Sequence, residues 1–125
     1  MFENVHFIMI GKSVDDTSIA VVEEILGLSF AEDYKTFIRE YGFAFGDGSE
    51  IFGINIDKIE NSSVLIETKK EKEFDPNIPS DYYVVENIGM DGLLALQNKS
   101  GKIIIWQKEN GNIKEFNDLE SYLTS

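Results

Sequence analysis

The chain has no cysteine, two prolines, one tryptophan and one histidine among its 125 residues. Without thiols it can form neither a disulfide nor a zinc–thiolate site, and the absence suits a reducing compartment. No stretch is low in complexity, and no segment approaches the roughly 20 apolar residues of a membrane-spanning helix. The opening Met1–Ile10 is partly apolar but carries no basic leader and no signal-length apolar run. The expected location is therefore cytoplasmic. Basic residues are scarce as well: 11 Lys and Arg face 23 Asp and Glu, for a formal net charge of -12. Nucleic-acid binding draws on Lys and Arg that neutralise phosphates, so direct nucleic-acid contact is not expected. Anionic membranes are disfavoured for the same reason. Such a field attracts a basic protein partner and can speed its association, or it serves solubility alone.

What is present fits one ordinary globular domain spanning residues 1–125. The chain is 42% hydrophobic and 12% aromatic, and its length can bury roughly two thirds of the unfolded surface without covalent staples. From Asp15 to Leu26, Ile19, Val22, Ile25 and Leu26 form a helical stripe, and Gly27 stands at the C-cap position. A second helix is predicted over Phe30 to Tyr41. Ser29 and Glu32 hold the S-x-x-E relation of a capping box, Gly42 ends the element, and Tyr34, Phe37, Ile38 and Tyr41 mark its buried face. Glu50 to Ile56 then reads as a strand. Ser62 or Ser63 caps a third helix running to about Lys72, with Val64, Leu65 and Thr68 inward. Tyr82–Glu86, Leu93–Leu96 and Lys102–Trp106 are strands separated by Asp91-Gly92 and Asn98-Lys99-Ser100-Gly101, and Ile103–Trp106 is apolar enough to lie centrally. Asn110-Gly111 is a further turn, and a last helix, Asn117 to Leu123, points Leu119, Tyr122 and Leu123 inward. The order implies an α+β fold: a mostly antiparallel, twisted sheet of five to six strands covered by N-terminal, middle and C-terminal helices.

No arrangement for catalysis accompanies these elements. His6 has no serine partner in a recognisable nucleophile elbow, and a structural or merely exposed imidazole is its default role. Gly46-Asp47-Gly48-Ser49-Glu50 is too short and supplies too few oxygens for a calcium loop. Neither Gly46-Asp47-Gly48 nor Gly89-Met90-Asp91-Gly92 has the Lys-Ser/Thr ending of a phosphate-binding loop, and an aspartate in each would repel phosphate. No enzyme activity, cofactor or metal is expected.

The order and spacing of these pieces resemble the SUKH superfamily, whose best-known members are bacterial immunity proteins and a yeast regulator of cell-wall synthesis. The likeness runs from about Val21 to the C-terminus. Glu32-Asp33-Tyr34-Lys35, Phe37 and Tyr41-Gly42 follow the family's second helix, with Phe30-Ala31 where it usually has Leu-Pro. Gly48-Ser49-Glu50-Ile51-Phe52-Gly53 is similar to its glycine-rich loop and short strand. Val64–Thr68, Tyr83–Gly89, Lys102–Trp106, and Phe116 with Leu119 and Leu123 match the elements that follow. Proline at the start of a helix is only a starting device, so its absence leaves the fold expectation intact.

The resemblance implies an immunity protein that binds and blocks the toxin domain of a polymorphic toxin, commonly a nuclease. Acidic side chains would then occupy a basic substrate groove in place of phosphates. The candidate contacts are Asp47, Glu50 and Asp91, with Glu32 and Asp33 at the helix start and Tyr34 and Trp106 as anchors. Glu32, Asp33, Tyr34 and Trp106 also admit a plainer reading as capping or core residues. The other functional class is a scaffold or regulatory module that gathers several clients. Either a monomer or a homodimer fits the sequence.

Overall fold

Helix α2 (Glu32–Tyr41) is the hub, because three of its four inward positions are large and fully covered. Tyr34, Phe37 and Ile38 are buried, whereas Tyr41 is half-buried and meets Phe7 and Phe37 edge-on or tilted. The computed structural model describes residues 2–46, 48–89 and 92–125. Its elements run β1 (Met9–Ile10), α1 (Asp16–Leu26), α2, β2 (Ala44–Phe45), β3 (Glu50–Ile51), a 3-10 turn (Ile59–Asn61) and α3 (Ser63–Phe74). Then come β4 (Tyr83–Asn87), β5 (Leu93–Gln97), β6 (Ile103–Gln107), β7 (Gly111–Phe116) and α4 (Leu119–Leu123). The strands form two antiparallel sheets, β1-β2-β3 and β4-β5-β6-β7. The expected α+β architecture is present, with seven short strands among the described residues, in two sheets in place of one sheet of five to six.

The sheets meet at a seam. A bulge at Val85, between the pairs Val84↔Leu96 and Glu86↔Ala95, frees the Val85 carbonyl, which accepts from Phe52 N–H at 2.8 Å. Thr68 Oγ1 on α3 accepts from Val84 N–H, so two neighbouring elements close the β4 edge. Beyond Ile51 the chain stays extended but leaves the ladder. Its backbone is held by Gly42 O, which accepts from Ile54 N–H, and by Ser62 and Ser63 Oγ, which accept from Asn55 and Gly53 N–H. These serines therefore fasten the segment after β3, and neither caps α3 through its side chain. The expected strand to Ile56 stops early because these partners take its N–H groups.

At Gly53 the crossing is so close that a Cβ would lie 1.7 Å from Gly42 O, and Gly42 itself has φ +74°. Only glycine fits both demands.

The entry to α2 also differs from expectation. Its N-cap is Ala31, two residues past Ser29, so no capping box forms, and the N–H groups in between take tertiary partners. Glu23 Oε2 accepts from Phe30 N–H and Tyr83 Oη accepts from Ala31 N–H. Phe30 thereby becomes a core residue, edge-on to Tyr34 and Tyr83. By contrast α1 and α4 are capped as their sequences suggest: Asp15 accepts from Ser18 N–H and Asp118 from Ser121 N–H. Helix α3 buries Val64, Leu65 and Thr68 as expected. Strand β6, between β5 and β7, buries Ile103 through Trp106. On α1, Ile25 lies outside the buried stripe and is exposed.

Candidate functional site

The residues singled out from the sequence fall into separate places. Asp47 and Asp91 lie outside the described residues. Glu50 sits on β3, half-buried, and its carboxyl titrates above the usual range because of burial and, secondarily, the nearby Glu67 charge. Glu32 projects into solvent from the first turn of α2, with 84% of its side chain exposed and Lys35 at 3.5 Å.

Its neighbour Asp33 turns inward. One carboxylate oxygen accepts from Gln97 Nε2 at 2.9 Å and the other from Leu119 N–H at 2.8 Å, so Asp33 caps α4 from another helix. Gln97 also donates to Gly101 O and accepts from Tyr83 Oη–H. This chain of bonds fastens α2, the β4–β5 pair, the β5–β6 hairpin and α4 together.

Tyr34 and Trp106 are core residues as well. Tyr34 is 0% exposed and donates to Phe52 O at 2.6 Å, and burial pushes its hydroxyl well up. Trp106 is 9% exposed and donates its indole N–H to buried Asp75 at 2.9 Å, at the C-cap of α3. Both therefore take the core alternative, and neither presents a face that a partner could seize.

The sequence reading missed Glu86. It closes the apolar run Tyr82–Val85 on β4, where the bulge resets the direction of successive side chains. Glu86 is 8% exposed, and its partner among the described residues is Tyr122, whose hydroxyl donates to Oε1 at 2.5 Å. Burial pushes the Glu86 carboxyl up, and the bond from Tyr122 only partly offsets this. The pair forms one wall of a cleft of about 500 Å³ at the seam of the two sheets, opposite His6, Gly46 and Ser49. The signal was available: an ionisable residue at the end of a strand of otherwise covered positions is seldom buried without a partner.

Surface ion pairs elsewhere, such as Arg39–Asp16 at 2.6 Å and Lys12–Asp57 at 2.8 Å, join exposed side chains and contribute little. Among the described residues no group of three or more His, Asp or Glu is placed to hold a metal ion, and no helix is long and apolar enough to cross a membrane. The arrangement offers acidic surface, a half-buried carboxylate on β3 and a covered carboxylate in a cleft.

Comparison with known proteins agrees with this architecture. A family model, SUKH_5, described as SMI1-KNR4 cell-wall, matches residues 4–125. No curated protein matches the sequence. Among solved structures, a crystal structure of a protein from Pseudomonas syringae pv. tomato superposes with a TM-score of 0.75. It covers 94% of this chain and 84% of its own at 10% identity, a likeness of fold.

Proposed function

The chain belongs to the SUKH_5 family, and from that premise we propose that it is an immunity protein that binds and neutralises the toxin domain of a polymorphic toxin. The observation that carries this reading is the net charge of -12 on a fold of this family. A nuclease toxin keeps a basic groove for its substrate, and a domain so acidic can fill that groove with carboxylates where phosphates would lie. Electrostatic steering then speeds the encounter, and desolvated contacts set the lifetime of the complex. Asp47, Glu50, Asp91 and Glu32 are the proposed contact residues. Asp33, Tyr34 and Trp106 serve by holding the framework under them.

The family description favours one second reading, a non-catalytic scaffold of the cell-wall-regulator type with several clients. Co-expression with the product of the neighbouring gene separates the two. Survival together with a salt-sensitive complex supports immunity, and continued killing with no complex supports the scaffold. In the same assay the combined Asp47→Lys, Glu50→Lys and Asp91→Lys substitutions should weaken the complex and leave the far-UV circular dichroism spectrum unchanged. Full binding by that variant at physiological salt would overturn occlusion by acidic surface.

A further inference from the structure

We propose that the seam cleft is a socket for one basic side chain, the guanidinium of an arginine or the ammonium of a lysine supplied by a protein partner. The proposal rests on reading the chain as a binder of a basic partner, and it names the place and chemistry of one contact.

Four observations converge on the cleft. Its volume of about 500 Å³ is ample for the end of a long side chain. Its described lining includes one side-chain carboxylate, that of Glu86, and no lysine or arginine, with His6 as the one basic side chain. Oε1 of Glu86 takes the Tyr122 hydroxyl, while Oε2 has no hydrogen-bond partner among the described residues. Yet no side-chain oxygen that is sealed from solvent lacks a partner there, so Oε2 opens into the cleft. Finally, Glu86 is mostly covered with a single neutral donor among the described residues, an arrangement that costs stability.

A guanidinium entering the cleft would supply what the carboxylate lacks. It brings several N–H donors in a planar fork and a full positive charge, and bonds of that kind are about twice as strong as neutral ones. Tyr122 would hold Oε1 in place while Oε2 receives the ligand. Ser49 and Asn4, also on the wall, offer further oxygen acceptors. The walls come from different parts of the fold: the N-terminal segment through His6, the β2–β3 turn through Gly46 and Ser49, β4 through Glu86 and α4 through Tyr122. The socket thus exists only in the folded chain.

The test uses the intact protein and needs no toxin. Propylguanidinium, a mimic of the arginine terminus, is titrated while backbone amide resonances are followed, with neutral propylurea as the control of the same shape. Saturable shifts confined to residues 4–7, 46, 49, 86–87 and 122–123 are expected with propylguanidinium and not with propylurea. Glu86→Gln, which keeps an acceptor for Tyr122, should weaken this binding at least about tenfold, while Asp16→Asn, which removes an exposed carboxylate outside the cleft, should retain it. Shifts spread over the exposed carboxylates and indifferent to Glu86→Gln would overturn the proposal. So would equal loss in both variants, which would trace the effect to the overall charge rather than to the cleft. Because toxin neutralisation is scored separately by co-expression, the socket can fail while immunity stands, and the reverse.

Discussion

The two sheets of this domain are built to opposite specifications. In the four-stranded sheet the strands are five or six residues long, and β5 and β6 are almost wholly covered. Its β4 edge is closed by Thr68 and Phe52. Its outer strand β7 carries Asn112, Lys114 and Glu115, polar side chains of the kind that discourage pairing with another chain. In the three-stranded sheet each strand has two residues, and Met9 and Ile10 on the outer strand are exposed, as is Ile8 just before it. The larger sheet, with α2 and α3 against it, holds most of the core. The smaller one and its β2–β3 turn act as a wall: they contribute Ile51 and Gly46 with Ser49 to the cleft, whose side-chain carboxylate belongs to the larger. Most of the core thus belongs to one sheet, and the two meet at the seam that holds the cleft.

The comparison breaks most severely at that seam. Gly53→Ala would force a Cβ into the Gly42 carbonyl, and backbone on both sides leaves no flexible group to move aside. It should destabilise the domain by about 3–4 kcal/mol or prevent folding, as judged by urea titration. A midpoint close to that of the parent chain would mean that the seam can open, and that the two sheets are coupled less tightly than the crossing requires.

Next comes the bond network inside the larger sheet. Asp33→Ala leaves Gln97 Nε2 with one acceptor fewer and Leu119 N–H without its cap. A loss of about 2–3 kcal/mol is expected from unsatisfied buried donors. Its neighbour is the natural control: Glu32→Ala, at an exposed position, should change stability by no more than about 0.5 kcal/mol. Equal effects at the two positions would refute the structural role assigned to Asp33.

In the smaller sheet the same kind of truncation should hardly register. Met9→Ala and Ile10→Ala remove side chains that are already half in water, so each should cost no more than about 0.5 kcal/mol. Amide exchange gives the contrast directly. Ile8 and Gly11 N–H donate to Phe45 and Phe43 O across a sheet of two-residue strands. They should exchange at least about a hundredfold faster than the hydrogen-bonded amides of β5 and β6, since local opening exposes them without global unfolding. Comparable protection in both sheets would mean that they open as one unit.

How much of this was legible in the sequence follows from where each signal is local. The α2 stripe at Tyr34, Phe37 and Ile38 and the central strand at Ile103–Trp106 are dictated by periodicity and neighbouring residues, and were read correctly. The α2 cap was misread because the competing partners, Glu23 and Tyr83, are 7 and 52 residues away from the N–H groups they satisfy. The same holds for Asp33, whose nearness to Glu32 suggested a shared surface although its bonds reach Gln97 and Leu119. The bulge at Val85, where the two sheets meet, is disclosed by no alternation pattern. Of the cleft, only the odd placement of Glu86 was visible. Its companions His6, Ser49 and Tyr122 are scattered along the chain and converge only in the fold.

The smallest expected change in stability is the one that tests why the seam holds a carboxylate at all. Burial raises the Glu86 titration above its ordinary range, so folding binds a proton more tightly than the unfolded chain does. Above the raised native value the group is ionised in both states, and its burial opposes folding. As the pH falls through the interval down to the unfolded value, the native carboxyl takes up its proton first and the opposition fades. Glu86→Gln is neutral throughout and should therefore melt at a slightly higher temperature than the parent chain at pH 7. The gap should close as the pH approaches about 4, while Glu50, raised by its own burial, titrates equally in both proteins. A gap of the opposite sign at pH 7 would mean that the charge is stabilised in the free protein, with nothing left for a partner's cation to supply. A small gain, coupled to weaker guanidinium binding, is the pattern expected of a residue kept for recognition at some expense of stability.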